Sequence, residues 1–288
     1  MNGRCPPCVF QDTSPQAPSP EFTRGNPRWT SHDTSVKSSL AHALEQLLLP
    51  VECLLCHRLL GPQFADDLVC PVCRLRWRPV RRPWCERCGQ PEPHFGPCRL
   101  CRDWPDQLRS VRSAVWLDGG ARSAVHALKY QGLARVGRDM AAVIARLVER
   151  PPAQSVLVPI PLGPKRRARR GYNQSEALAA PLARAWGLTN RPELLARTRD
   201  TPTQTALTPA ARLANVAGAF AMQNAECRMQ NGSLRNSAFS ILHSPLVLVD
   251  DVFTTGATLA EAARALAAAG FQSISAVTFG RASIPDFN

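Results

Sequence analysis

A chain of 288 residues with 44% hydrophobic content can bury one core of ordinary size with a small accessory module beside it. It holds no apolar run of roughly eighteen residues, the length a membrane-spanning helix needs, and its first residues lack the basic-then-apolar order of an export signal, so no membrane insertion and a reducing, cytoplasmic location are expected. The net charge of +13 is uneven: residues 156–220 carry ten basic and three acidic residues, residues 221–288 four and five, so the excess belongs to one segment rather than to a uniformly basic surface.

In chain order, residues 1–38 are rich in Ser, Thr and Pro and read as a disordered tail. Leu40, Ala43, Leu44, Leu47 and Leu48 recur at helical spacing before Pro50, predicting a short amphipathic helix whose apolar face packs on the cysteine module or on the larger domain. Helix and cysteine block together are assigned to 39–108, and a larger domain to 109–288. From residue 111 apolar strands alternate with longer helical stretches, the pattern of a mostly parallel sheet. Strands are expected at 113–118, 155–161, 246–252 and 273–280, and helices at 121–130, 137–150, 174–186 and 256–269. A basic loop is expected after Pro161, and 221–244, polar and irregular, reads as a surface excursion.

Ten of the eleven cysteines fall into CxxC pairs. Cys53/Cys56, Cys70/Cys73, Cys85/Cys88 and Cys98/Cys101 are closely spaced, whereas Cys5/Cys8 has no second pair nearby. Each CxxC can form a knuckle that offers two thiolates to a tetrahedral ion, so the four pairs suffice for two structural Zn2+ ions. A closed shell of four thiolates leaves no open position for substrate, which makes these sites folding staples or docking elements rather than catalytic ones. Spacing leaves sequential and interleaved pairing both open.

The stretch Val247-Leu-Val-Asp-Asp-Val-Phe-Thr-Thr-Gly-Ala-Thr-Leu259 joins an apolar strand, two acids and a small-residue turn that opens a helix. Backbone N–H groups from Thr254 through Thr255, Gly256 and Ala257 to Thr258 would converge at the helix N-terminus, where the dipole favours a phosphate dianion. Gly256 permits close backbone approach, and the threonine hydroxyls add donors. Asp250 and Asp251 at the strand end suit either the ribose 2′ and 3′ hydroxyls or a hydrated Mg2+. The five cations Lys165, Arg166, Arg167, Arg169 and Arg170 follow the second strand, with Arg197, Arg199 and Arg212 downstream. Such a cluster can meet the charge of a departing pyrophosphate or track a single-stranded DNA backbone. Asn173 and Gln174 could complete a polar site, and Asn173 equally suits a helix N-cap. Stacking platforms for bases are few: Tyr172 and Trp186 near the basic run, and Trp77, Trp84, Phe95 and Trp104 in the cysteine block, where aromatics commonly serve as core.

The string VLVDDVFTTGATL resembles the PRPP-binding motif of type I phosphoribosyltransferases. With Leu128-Lys-Tyr130, Val158-Pro-Ile-Pro-Leu162, Arg169-Arg-Gly-Tyr-Asn-Gln-Ser-Glu176 and residues 204–220 after a four-knuckle block, the chain is similar to the ComF family over about residues 45–282. The resemblance implies an α/β fold of the type I phosphoribosyltransferase kind, a mostly parallel sheet flanked by helices, preceded by a small zinc-ribbon-like module. It implies PRPP as ligand and a role in DNA uptake or in the use of external DNA as a nutrient. The first reading is a phosphoribosyltransferase, or a near relative retaining the PRPP site, with Mg2+ and with Asp250 and Asp251 in the catalytic position, working in DNA uptake or nucleotide salvage. Against it stands a non-catalytic adaptor that handles single-stranded DNA on the basic surface and docks a partner such as a helicase through the zinc module. A zinc-dependent transcription regulator is a weaker rival because no helix-turn-helix pattern is present.

Overall fold

The computed structural model describes residues 51–64, 66–91, 98–200, 215–223 and 243–283. The tail with Cys5 and Cys8, the helix expected at 40–48, most of 204–220 with Arg212, Phe95, and residues 224–242 of the expected excursion lie outside them.

Two cysteine knuckle pairs come first. The short helix α1 (Pro71–Leu75) starts at Cys70, whose Sγ accepts the Cys73 N–H, with Pro71 supplying a preset first turn. The chain then enters β1 (Leu108–Trp116), α2 (Gly119–Tyr130), α3 (Val136–Leu147), β2 (Val156–Pro159), α4 (Pro164–Arg170), α5 (Gln174–Trp186) and β3 (Thr189–Asn190). A small antiparallel pair follows, β4 (Leu195–Arg197) with β5 (Phe220–Met222). The order ends with β6 (Leu246–Phe253), α6 (Ala257–Ala268) and β7 (Ile274–Arg281).

Five strands form one parallel sheet in the order β1-β7-β6-β2-β3. The α/β expectation and the cysteine module are both met. Strand β6 reads as a continuous apolar run because it lies between β7 and β2 and is buried over nearly its whole length. One core gathers Val125, Leu128, Met140, Ile144, Leu178 and Trp186 of α2, α3 and α5. A second gathers Leu259 and Leu266 of α6 with Leu246, Leu248 and Phe271. The first knuckle pair contributes Cys53, Cys73 and Trp77 to the first core, and the second contributes Cys88, Cys101 and Trp104 to the other. Helices α3 and α5 cross closely: a Cβ on Gly137 would lie 2.6 Å from the Ala177 carbonyl oxygen.

Two expectations need correction. The basic stretch after Pro161 is a helix, α4, and not a flexible loop: Pro164 opens it, left-handed Gly171 closes it, and the six residues between, all Lys, Arg or Ala, are good helix formers. Trp186, at 4% exposure, is a core residue and not a stacking platform, while Trp77 and Trp104, at 3% and 5%, are core as aromatics of a zinc module commonly are.

Candidate functional site

Strand β2 continues the chain toward β3 on one side, while β6 pairs on the other, so the strand order reverses where β2 and β6 meet, the place where open α/β sheets leave a crevice beyond their carboxyl ends. A cleft of about 270 Å³ opens there. Ile160, Pro161 and Leu162 beyond β2 form one wall, and Asp250, Asp251, Val252, Thr254 and Thr258 form the other. Four arginines, Arg166, Arg169 and Arg170 of α4 and Arg197 of β4, face the acids, with Lys129, Tyr130 and Gln174 completing the rim.

The register puts Pro159 beside Val249, so the last apolar pair of the sheet ends where the acids begin. Asp250 is buried, and its Oδ1 accepts from the Ser175 hydroxyl at 2.9 Å and from the Asp251 N–H at 2.9 Å. Burial, with the neighbouring Asp251 charge, pushes the Asp250 carboxyl up to about 7 despite Lys129 and those two donors. Asp251 pairs with Lys129 Nζ at 2.8 Å. Burial alone would lower the Lys129 ammonium, and the Asp251 charge outweighs it, holding it above its ordinary value.

Of the residues expected at the phosphate turn, Thr254 and Thr258 line the cleft, whereas Thr255, Gly256 and Ala257 are buried beneath it. Gly256 has φ +76, a left-handed conformation that costs a side-chain-bearing residue about 1–2 kcal/mol. The N–H groups of Thr254, Thr255 and Gly256 enter no hydrogen bond among the described residues, and the Thr255 hydroxyl is buried without a partner. Those donors are what a helix-terminal anion site offers.

Of the five cations, Arg166, Arg169 and Arg170 reach the cleft, and Lys165 and Arg167 do not. Helical spacing is the reason: residues three and four apart share a face. Arg167 lies on another side and pairs with Glu176 at 2.8 Å, and Lys165 is exposed with its backbone N–H on Asp200. Arg170 donates to Gln174 and stands over the Tyr130 ring. Arg199 donates to the carbonyls of Asn215 and Ala217. Asn173 is the N-cap of α5, buried, accepting from Ser175 N–H at 3.1 Å and donating to the Ile160 carbonyl at 3.0 Å. It braces the β2 wall without lining the cleft.

The cysteines resolve into two sequential tetrads, Cys53-Cys56-Cys70-Cys73 and Cys85-Cys88-Cys98-Cys101, so the pairing is not interleaved. Sulfur separations are 3.8 Å for Cys56–Cys70, 3.8 Å for Cys85–Cys101 and 3.5 Å for Cys88–Cys98. Tetrahedral zinc with Zn–S bonds of about 2.3 Å sets its sulfurs about 3.8 Å apart, so the residues fit structural Zn2+. Burial pushes the Cys73 thiol up, and it pushes Cys98 up to about 11 with help from the neighbouring Cys88. Only a cation at the centre makes four thiolates compatible at that spacing.

Residues 44–102 match the double zinc ribbon domain family. Over 227 residues the chain is 31% identical to the DNA utilization protein YhgH of Salmonella typhi, covering 76% of this chain and 92% of that one. The competence protein ComFC of Bacillus subtilis is 28% identical over 215 residues, 70% of this chain and 78% of its own. Competence protein F of Haemophilus influenzae is 26% identical over 208 residues, 69% and 85%. The chain belongs to the ComF family.

Within this ComF chain, sequence reasoning gave no site role to Lys129, Tyr130 or Ser175, and placed Arg197 only among downstream cations. Lys129 had a usable signal: it is one of three lysines among 35 basic residues, a departure from the arginine bias that marks a position needing a compact ammonium. Ser175 had none, since only the fold carries its hydroxyl to Asp250. Among the described residues no helix is long and apolar enough to cross a membrane.

Proposed function

We propose that the protein binds a 5-phosphorylated ribose, PRPP being the fitting case, and acts as a phosphoribosyltransferase-type glycosyltransferase in DNA uptake or in nucleotide salvage. The observation that carries this reading is the meeting, in one cleft, of Asp250 and Asp251 with Thr254 and Thr258 on one side and four arginines on the other. In this reading the free N–H groups of Thr254, Thr255 and Gly256 and the Thr254 and Thr258 hydroxyls hold the 5-phosphate. Asp250 and Asp251 accept from the ribose hydroxyls or from water on Mg2+. Arg166, Arg169, Arg170 and Arg197 face the pyrophosphate, whose negative charge grows as its bond to the anomeric carbon breaks. Mg2+, when bound, shares the neutralisation of that leaving group. Because Asp250 holds a proton near neutrality, arrival of a cation would release it.

The names of the relatives, a DNA utilization protein and competence proteins, support placing the activity in the handling of incoming DNA. The thiolate chemistry of eight zinc ligands suits a reducing, cytoplasmic setting. The test is thermal: PRPP with Mg2+ at about a hundred times its dissociation constant should stabilise the protein by about 2.7 kcal/mol. Asp250→Asn with Asp251→Asn should remove that increment, and no increment in the wild type would refute the reading.

A second reading rests on Lys165, Arg167 and Arg169, which are exposed on α4: an adaptor that tracks single-stranded DNA and docks a helicase through the zinc module. It requires DNA binding that weakens steeply with salt and with neutralisation of these cations.

A further inference from the structure

The second knuckle pair is fastened to the phosphate corner by more than proximity. Trp104 lies three residues beyond the ligand Cys101, and its N–H donates to the Cys101 carbonyl at 3.2 Å. Arg87, between Cys85 and Cys88, ties the same turn together by donating to the carbonyls of Cys101 and Trp104 at 3.1 and 3.0 Å. The indole thus delivered packs behind the turn: a Cβ built on Gly256 would lie 2.3 Å from Trp104 Cζ2 and 3.0 Å from Phe253 Cε2. Trp104 also meets Phe253 edge-on, with ring centroids 6.2 Å apart. Over the Phe253 ring the guanidinium of Arg281, 1% exposed, stands 4.3 Å from the centroid and donates to the Cys88 carbonyl at 2.9 Å. From α6, Arg264 donates to the Asp103 carbonyl at 2.9 Å. The strand end, the turn and the helix that make up the corner are therefore each tied to the second tetrad.

The first tetrad is anchored elsewhere. Its loop is held by Asp139 of α3, which accepts from the Leu68 and Val69 N–H groups at 2.9 and 3.2 Å and from Arg74 at 2.9 Å, and none of the described residues among 51–77 lines the cleft. Two tetrads of the same chemistry thus brace opposite faces of one sheet, and only one of them backs the turn.

We infer that Trp104 is a positioning residue for the Thr254–Thr258 turn, and that zinc in the second tetrad, but not in the first, is a condition for binding the phosphorylated ligand. The reasoning is geometric: the turn presents its N–H groups from a left-handed glycine with no side chain of its own, so the position of the turn is set by what it rests on. When the indole is removed, or the tetrad that carries it loosens, the corner keeps its sequence and loses its fixed geometry. The inference rests on the reading of the cleft as a PRPP site.

The experiment measures Mg2+–PRPP binding by calorimetry, with zinc content and far-ultraviolet circular dichroism confirming the fold of each variant. Trp104→Ala should keep both zinc ions and lose affinity by about tenfold or more, the scale of lost outer-layer support. Trp104→Phe should recover most of that loss. Gly256→Ala should also lose affinity, and adding Trp104→Ala to it should cost much less than the two losses combined, because the larger residue no longer strikes the indole. Cys98→Ser should abolish binding and Cys56→Ser should preserve it. Wild-type protein that fails to bind Mg2+–PRPP overturns the reading of the cleft itself. Wild-type protein that binds while Trp104→Ala binds equally well, or a Cys56→Ser variant that loses as much as Cys98→Ser, overturns the assignment of the brace.

Discussion

Replacing Asp250 by asparagine should make the ligand-free protein more stable, and the gain should grow with pH. The cause is the charge on a buried carboxylate beside a second one. Burial and Asp251 raise the Asp250 carboxyl from 3.8 to about 7, so between these values the folded state holds a proton that the unfolded state has released. Stability of the wild type therefore falls as pH rises from about 4 through 7 and levels off above. The full penalty of that shift is about 4 kcal/mol at pH 8 and about half of that at pH 5. Relaxation and water penetration shrink such penalties in real sites, so a gain of about 2 kcal/mol at pH 8, roughly 4–8 °C in melting temperature, is the expected size. Asparagine keeps an oxygen that can accept from the Ser175 hydroxyl and the Asp251 N–H. The assay is the melting temperature of variant and wild type, without ligand, from pH 5 to pH 8, read as a difference so that other titrating groups cancel. A gap that is flat with pH, or that closes as pH rises, would refute the account of Asp250 as a carboxylate kept for a ligand at the expense of stability.

The neighbouring acid should behave in the opposite sense. Lys129→Met or Asp251→Asn strands one charge of a close, largely buried pair and should destabilise the ligand-free protein by about 2–4 kcal/mol in urea unfolding. Asp139→Ala, which leaves the Leu68 and Val69 N–H groups and Arg74 without their acceptor, should cost about 2–4 kcal/mol and weaken retention of zinc by the first tetrad, seen as faster release to a chromogenic chelator. Metal analysis of purified protein should return two zinc ions per chain, since two complete tetrads are present, and fewer than one would overturn the zinc assignment.

How much of this was legible in the sequence depends on how local each signal is. Strand β6 and the start of α6 were readable because the apolar run, the two acids and Gly256 act on their own neighbours, and helix α5 was readable for the same reason, with Asn173 and Gly187 marking its ends. The cysteine spacing predicted knuckles but not which would join, because ligand pairing is decided by how the two turns pack. Helix α4 was misread since a run dense in like charge carries no apolar periodicity. Its helical form is fixed instead by Pro164, Gly171 and outward-facing arginines that find partners such as Glu176. Strands β3, β4 and β5 were missed because each spans only two or three residues, too short for a period to register.

The least legible feature is the one that joins the second tetrad to the phosphate turn. Trp104 reads as core in any zinc module, and Gly256 reads as a turn glycine in any strand-turn-helix unit; each has a sufficient local explanation. Their contact adds a constraint that neither explanation contains, because Gly256 must lack a Cβ for the indole as well as for its own φ. Substitution at Gly256 is therefore opposed twice, by about 1–2 kcal/mol of backbone strain and by a further 1–3 kcal/mol of overpacking against Trp104. Only the second penalty disappears when Trp104 is shortened. A cysteine module that merely decorated the fold would leave the glycine answerable to its backbone alone, and the difference between those two cases is what double substitution at positions 104 and 256 resolves.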